Sequence, residues 1–307
     1  MDANIRVAAG SRFRNPAPSR ERAGTPLVRR RYAGPLTSVY EWCCGGHGPR
    51  EPAEEWAEAY EVVLPRRGAF EWEIEGHRQL ADPGTATFFH PTEPYRVRHP
   101  VGGGDAGTVF HLTAAAVSDL LAEADPSGSR DGPRFPVRHL PLDGRAYLLA
   151  RLALRAASDP GAMTVEVEER VAAFLREAMG QAVRRRSDRH ASRRERTRGA
   201  EYAARVAEVV AERYREPLGL AQVADAVGVS PFHLSRVVAS ATGIPIYRMI
   251  RRRRLREALE LLLERDGSIS RIALTVGFAS HSHLTDAFRR EYGLTPSAVR
   301  RLRAPRR

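Results

Sequence analysis

A short repetition near the C-terminus constrains the fold of this chain more than any other feature. Residues 228–238 read GVSPFHLSRVV, and residues 277–288 read GFASHSHLTDAF. Ala224, Val227 and Gly228 recur as Ala273, Val276 and Gly277 at an offset of 49. Ser230, His233, Leu234 and Gly243 recur as Ser280, His283, Leu284 and Gly293 at an offset of 50, so the second turn carries one added residue. In each copy an apolar run, LAQVADAV or ISRIALTV, meets a glycine and then a serine. Glycine accepts the positive φ with which a chain leaves a helix sharply. Ser230 and Ser280 offer a side-chain oxygen to the free N–H groups of a following helix. Pro231 falls at a first helical position, where its missing donor costs nothing. This is helix–turn–helix grammar, written twice.

Between the copies, IYRMIRRRRLREALELLLER at 246–265 places Ile246, Met249, Ile250, Leu255, Leu259, Leu262 and Leu263 at helical intervals with no interrupting proline. Twenty residues of helix span about 30 Å, close to the ~34 Å between successive major-groove faces on one side of B-DNA. A stiff connector of that length would let one chain read two grooves. Arg251, Arg252, Arg253 and Arg254 wrap this helix; phosphate contact and pairing with Glu257 or Glu260 on a solvated face are both open to them.

Charge distribution agrees with a polyanionic partner. Of the net +12, residues 1–31 carry +6, 32–180 carry −8, 181–200 carry +6 and 201–307 carry +8. All the basic residues are arginine.

The C-terminal third resembles the DNA-binding domain of AraC-type (AraC/XylS) transcription regulators. The resemblance rests on SPFHLSRVVASATG, the Arg-rich helix with REALELLL, ISRIALTVGFASHSHLTDAFRREYG and the ending TPSAVR. It implies an all-α domain with two helix–turn–helix motifs joined by a long helix. It also implies sequence-specific binding of double-stranded DNA and control of transcription, with RNA polymerase a candidate partner. Carried across, the family's base-reading positions fall on Phe232, Ser235 and Arg236 in the first copy and His281, Ser282, Thr285 and Asp286 in the second. Arg236 suits a guanine O6/N7 edge, and Phe232 a thymine methyl or the backbone. Asp286 departs from the arginine common in relatives; it could accept from a cytosine amino group or pair with Arg289 or Arg290 along its own helix. Arg251, Arg252, Arg289, Arg290 and Arg300 are expected to position the domain on phosphates. Leu234, Leu284 and Phe288 are expected in the core, and His233 and His283 in packing or phosphate contact.

Upstream, residues 1–31 read as a disordered basic arm, and 181–200 as an extended Arg-rich linker. From 32 to 180 the chain first alternates strand-like runs (TSVYEW, AYEVVLP, AFEWEI, TATFFH, YRVRH, TVFHL) with turn signals, which predicts six or seven strands in a sandwich or small barrel. Three helices then follow at TAAAVSDLLAEA, GRAYLLARLALRAAS and TVEVEERVAAFLREAM. In the last, Val167, Val171, Phe174, Leu175 and Ala178 form one apolar stripe, a surface for the protein's own barrel or for a second copy of the chain. LADPGTATFFHPTEPYRVRHP, through Gly84, Pro91, Pro94 and Tyr95, resembles the second signature of cupin barrels and implies a small-molecule sensor, the ligand unnamed.

A catalytic metal cupin is disfavoured, because Tyr95 stands where that signature supplies histidine and the first signature's His-x-His is missing. The scattered His77, His90 and His99 could converge in space, but histidines on strands are more often satisfied surface or core residues. No cofactor, catalytic residue or metal-ligand set is therefore assigned. CCGGHG at 43–48 keeps a thiol- or metal-sensing alternative open through Cys43, Cys44 and His47, against the plainer reading of small residues at a strand end. Adjacent cysteines exclude a disulfide framework. No run approaches the ~18 apolar residues of a membrane helix, and the N-terminus lacks a signal core; a cytoplasmic protein without a membrane partner is expected.

Overall fold

The computed structural model describes residues 27–45, 54–99, 104–125, 132–188, 195–264 and 266–303. The chain divides into two compact units, one formed by residues up to Leu142 with Leu149–Asp188, the other by Asp143–Leu148 with the residues from Arg189 onward.

The first unit is β-rich. Strands β1 (Leu27–Ala33), β2 (Thr37–Cys44), β4 (Tyr60–Arg67), β7 (Thr85–Phe89), β9 (Asp105–Leu112) and β10 (His139–Pro141) form one sheet in the order β1-β2-β9-β4-β7-β10. Strands β3 (Glu54–Trp56), β5 (Phe70–Ile74), β6 (His77–Ala81) and β8 (Pro94–Arg98) form a second in the order β3-β8-β5-β6. Helices α1 (Ala114–Ala124), α2 (Gly144–Ala157), whose residues up to Leu148 fall in the second unit, and α3 (Thr164–Asp188) follow. Strands β5 and β8 alternate strictly: Phe70, Trp72, Ile74, Tyr95 and Val97 point inward, while Arg96 and Arg98 face solvent. That is the pattern of a sheet with one covered face. These residues pack with Trp42, Val63, Phe89 and Val109 of the other sheet in one apolar cluster. The opposite face of the larger sheet meets α3, with Phe110 and Phe174 ring centroids 4.9 Å apart. All five residues of the α3 stripe are buried, as their spacing predicts.

Four sequence expectations change here. Of the sandwich and the small barrel, the strands take the first, two sheets sharing a core, and no closed cupin-like barrel is present among the described residues. Four strands, β1, β3, β6 and β10, escape the sequence pattern because they are short or polar. β1 starts inside the segment expected as a basic arm: its arginines sit on a sheet edge, where charge is tolerated while the backbone pairs with β2. Residues 1–26 of that arm lie outside the described residues. The expected linker is likewise helical at both ends, since α3 continues to Asp188 and α4 starts at Glu195. Arginine is a good helix former, so lack of apolar period did not mean lack of helix.

The second unit is helical: α4 (Glu195–Arg213), α5 (Leu220–Val227), α6 (Pro231–Thr242), α7 (Ile246–Glu264), α8 (Ile269–Thr275), α9 (His281–Tyr292) and α10 (Pro296–Arg303). Val206 and Val210 of α4, Tyr214 just after it, Val223, Ala224 and Val227 of α5, Leu234 and Val238 of α6, and Ile246 and Ile250 of α7 form one core cluster. No helix among the described residues is long and apolar enough to cross a membrane.

Candidate nucleic-acid interface

The two repeats fold alike, for local reasons. Gly228 and Gly277 take φ of 74° and 88°, the left-handed region that ends each first helix. Ser230 Oγ accepts from the His233 N–H at 3.4 Å, and Ser280 Oγ from the His283 N–H at 3.1 Å, capping α6 and α9. Both second helices close on left-handed glycines, Gly243 and Gly293. The equivalent histidines also behave alike: His233 stands edge-on to Tyr202 at 5.7 Å, and His283 to Phe278 at 5.2 Å. Packing is thus part of their role.

Each second helix has a buried and an open face. On α6, Leu234 and Val238 are buried, whereas Phe232 is 89% exposed and Arg236 is open to solvent. Positions four apart on a helix share a face, so Phe232 and Arg236 stand together, with Ser235 half-buried beside them. On α9, Leu284, Ala287 and Phe288 are buried, while His281, Ser282, Asp286, Arg289 and Arg290 are exposed. Thr285 is half-buried, and its hydroxyl oxygen is buried without a hydrogen-bond partner. Among the described residues no ion pair joins Asp286 to Arg289 or Arg290, the bland alternative for that carboxylate.

The arginines of α7 separate sharply. Arg254 donates to three backbone carbonyls, Tyr214 and Glu216 beyond α4 at 2.7 Å each and Gly277 in the second turn at 2.8 Å. Burial lowers its pKa. Arg253 is buried, pairs with Glu257 at 3.1 Å and lies over the Tyr214 ring at 4.2 Å. Arg252, expected on phosphate, instead pairs with Glu291 at 3.2 Å, with 20% and 12% of the two side chains exposed. Burial lowers the Arg252 pKa too, offset by the Glu291 charge. Of the four consecutive arginines, Arg251 alone has no partner for its side chain among the described residues; it borders a cleft of about 230 Å³ with Leu220, Tyr247 and His283.

The expected pairing of this run with Glu257 holds for Arg253, but the face it forms is buried and not solvated. Glu257 and Glu260 are 8% and 3% exposed, because α7 runs through the middle of the unit and is covered from several sides. Sequence reasoning missed Arg254 as a staple and Tyr247 as an exposed aromatic. Nothing in a run of four arginines distinguishes one from another until the neighbouring helices are placed.

In the first unit the thiols part company. Cys43 is exposed and Cys44 buried, as alternation along β2 requires. The expected partner His47 lies outside the described residues.

Two capped helix pairs around a central helix, each with an open second helix, define the second unit as a helix–turn–helix domain. A family described as "Helix-turn-helix domain" matches residues 223–302. The chain is 35% identical over 85 residues to the probable transcription factor PqrA of Proteus vulgaris, covering 28% of this chain and 70% of that protein. It is 39% identical over 85 residues to the HTH-type transcriptional regulator GlxA of Rhizobium meliloti strain 1021, covering 28% of this chain and 26% of that one. The C-terminal domain of AraT, a response regulator from Geobacillus stearothermophilus, matches at 29% identity over 36% of this chain and 92% of that chain, with a TM-score of 0.34. The chain belongs to the AraC/XylS family of transcription regulators. The match spans only about a quarter of the length of GlxA.

Proposed function

We propose that this protein is a sequence-specific, double-stranded-DNA-binding transcription regulator whose N-terminal unit, read as cupin-like, responds to a small-molecule effector. The observation that carries the reading is the pairing of α6 and α9. Both are serine-capped, both keep one polar face open, and the uninterrupted 19-residue α7 lies between them in sequence. A helix of that length spans about 28 Å, near the ~34 Å repeat of one duplex face.

In this reading both helix–turn–helix pairs are readers. Phe232, Ser235 and Arg236 read one groove, and His281, Ser282, Thr285 and Asp286 the next. Arg251 and Arg289 bind phosphates. Arg252 leaves this set, because Glu291 already neutralises it. With its hydroxyl buried, Thr285 would contribute a methyl contact, the complement of a thymine methyl. An effector would act by shifting populations between DNA-competent and incompetent forms. A second copy of the chain and RNA polymerase are the protein partners of the proposal, and no enzymatic step belongs to it.

Binding-site selection with the full chain, followed by Arg236→Ala, tests this. The substitution should cost about 1–3 kcal/mol on the selected site and relax discrimination at one base pair. An equal loss on every sequence would move Arg236 from base to phosphate. Failure to enrich any sequence would refute the proposal.

A further inference from the structure

Cys44 and Asp105 are directly opposite each other where β2 pairs with β9. Trp42 and Val109, which share their faces by the two-residue period, line the core between the sheets. His99 follows β8 of the other sheet, and its Nδ1 stands 2.7 Å from Asp105 Oδ2. One ligand atom from each of Cys44, His99 and Asp105 lies within 4.8 Å of the other two. Cys44 and Asp105 are 4% and 3% exposed, and the His99 side chain 14%.

The carboxylate is held from behind. Trp42 Nε1 donates to Asp105 Oδ1 at 3.0 Å, which leaves Oδ2 on the His99 side. Gly107, opposite Trp42, makes this possible: a Cβ there would fall 1.9 Å from the indole and 2.4 Å from the Leu64 carbonyl. A donor orienting a ligating carboxylate is a recurrent feature of metal sites.

We propose that Cys44, His99 and Asp105 bind one divalent transition-metal ion of the zinc class, with water or another exogenous ligand in the fourth position. Sulfur, imidazole nitrogen and carboxylate oxygen are the donors such an ion takes, at about 2.0–2.3 Å. Around a tetrahedral ion they lie roughly 3.3–3.8 Å apart, so small rotations and opening of the His99–Asp105 hydrogen bond complete the site. The softness of a thiolate disfavours magnesium and calcium. The Cys44 S–H gives up its proton as the S–metal bond forms, so binding strengthens as pH rises. Because Cys44 and Asp105 belong to one sheet and His99 follows a strand of the other, the ion ties the two sheets together and stabilises the unit by mass action. The site is independent of the DNA-binding proposal.

Cobalt(II) titrated into reduced full-length protein tests it. Expected are one ion per chain, a thiolate-to-cobalt charge-transfer band, displacement by zinc, and a raised unfolding temperature. Cys44→Ser should abolish the band, and His99→Ala and Asp105→Asn should weaken binding by about tenfold or more, while Cys43→Ser binds as the parent does. Absence of stoichiometric binding, a band that survives Cys44→Ser, or one lost with Cys43→Ser overturns the assignment. Should Asp105→Asn fail to fold, the contrast between the two cysteine variants decides alone.

Discussion

Arg251 and Arg252 are neighbours of equal charge, and the structure gives them opposite fates, so their alanine variants should fail in different assays. The Arg252–Glu291 pair is largely buried, with 20% and 12% of the side chains exposed. Breaking a fully buried pair costs about 3–5 kcal/mol and an exposed one at most about 1. Residual exposure places Arg252→Ala between them, at about 2–3 kcal/mol. All three tryptophans, Trp42, Trp56 and Trp72, belong to the first unit, so fluorescence does not report on the second. Amide hydrogen exchange in α7 and α9 does, and 2–3 kcal/mol corresponds to protection reduced roughly 30- to 150-fold where exchange follows opening of the unit. Arg251→Ala should leave exchange unchanged. If Arg251 binds one phosphate, its loss lowers the salt slope of DNA binding by about 0.9 and costs about 1.2 kcal/mol, near eightfold, at 0.1 M salt. Were Arg252→Ala to lower the salt slope by that amount with exchange unaltered, its guanidinium would belong on DNA and the ion-pair argument would be wrong.

Three further outcomes are expected. Gly228→Ala and Gly277→Ala impose the same left-handed strain, about 1 kcal/mol, but only the second places a Cβ 3.0 Å from the Arg215 carbonyl and from Arg254 Nε. Urea unfolding should therefore show a loss of roughly 2–3 kcal/mol at Gly277 and about 1 at Gly228; equal losses would contradict the crowding. Arg254→Met removes three charge-assisted bonds and should cost about 3 kcal/mol, with exchange accelerated first at the turn around Gly277; an unmoved turn would refute the staple. In the first unit, burial and then the Arg138 charge hold the His90 pKa below its ordinary value, and its Nε2 accepts from the Phe135 N–H at 3.0 Å. The folded state thus favours neutral His90. Stability should be intact above about pH 6.5 and fall as pH drops from there toward the lowered folded value, and His90→Gln should flatten that slope. Parallel pH profiles for the two proteins would exclude His90 as the cause.

Much of the helical unit was legible because its signals are local. A glycine that must take positive φ, a serine three residues before the N–H that it caps, and an unbroken run of helix formers act over distances the sequence displays directly. The same holds for the α3 stripe and for β5 and β8, whose alternation marks one covered face. Edge strands were not legible: β1 is held by the backbone of β2, with Arg29 and Arg30 exposed and Arg31 paired with Glu41, so its composition imitates a disordered arm.

What the tertiary structure alone decided concerns residues whose partners are remote in sequence. Four consecutive arginines are chemically equivalent until α4, α9 and the second turn approach α7; then Arg252 meets Glu291, Arg254 meets three carbonyls, and half-buried Arg251 is left without a partner among the described residues. Likewise CCGG marks its thiols as a neighbouring pair, yet strand alternation drives them to opposite faces and gives Cys44 the company of His99 and Asp105. Torsional preference and capping are properties of a few successive residues and can be read in order along the chain. Charge neutralisation and ligand convergence depend on distances through space, which only the packed sheets and helices set.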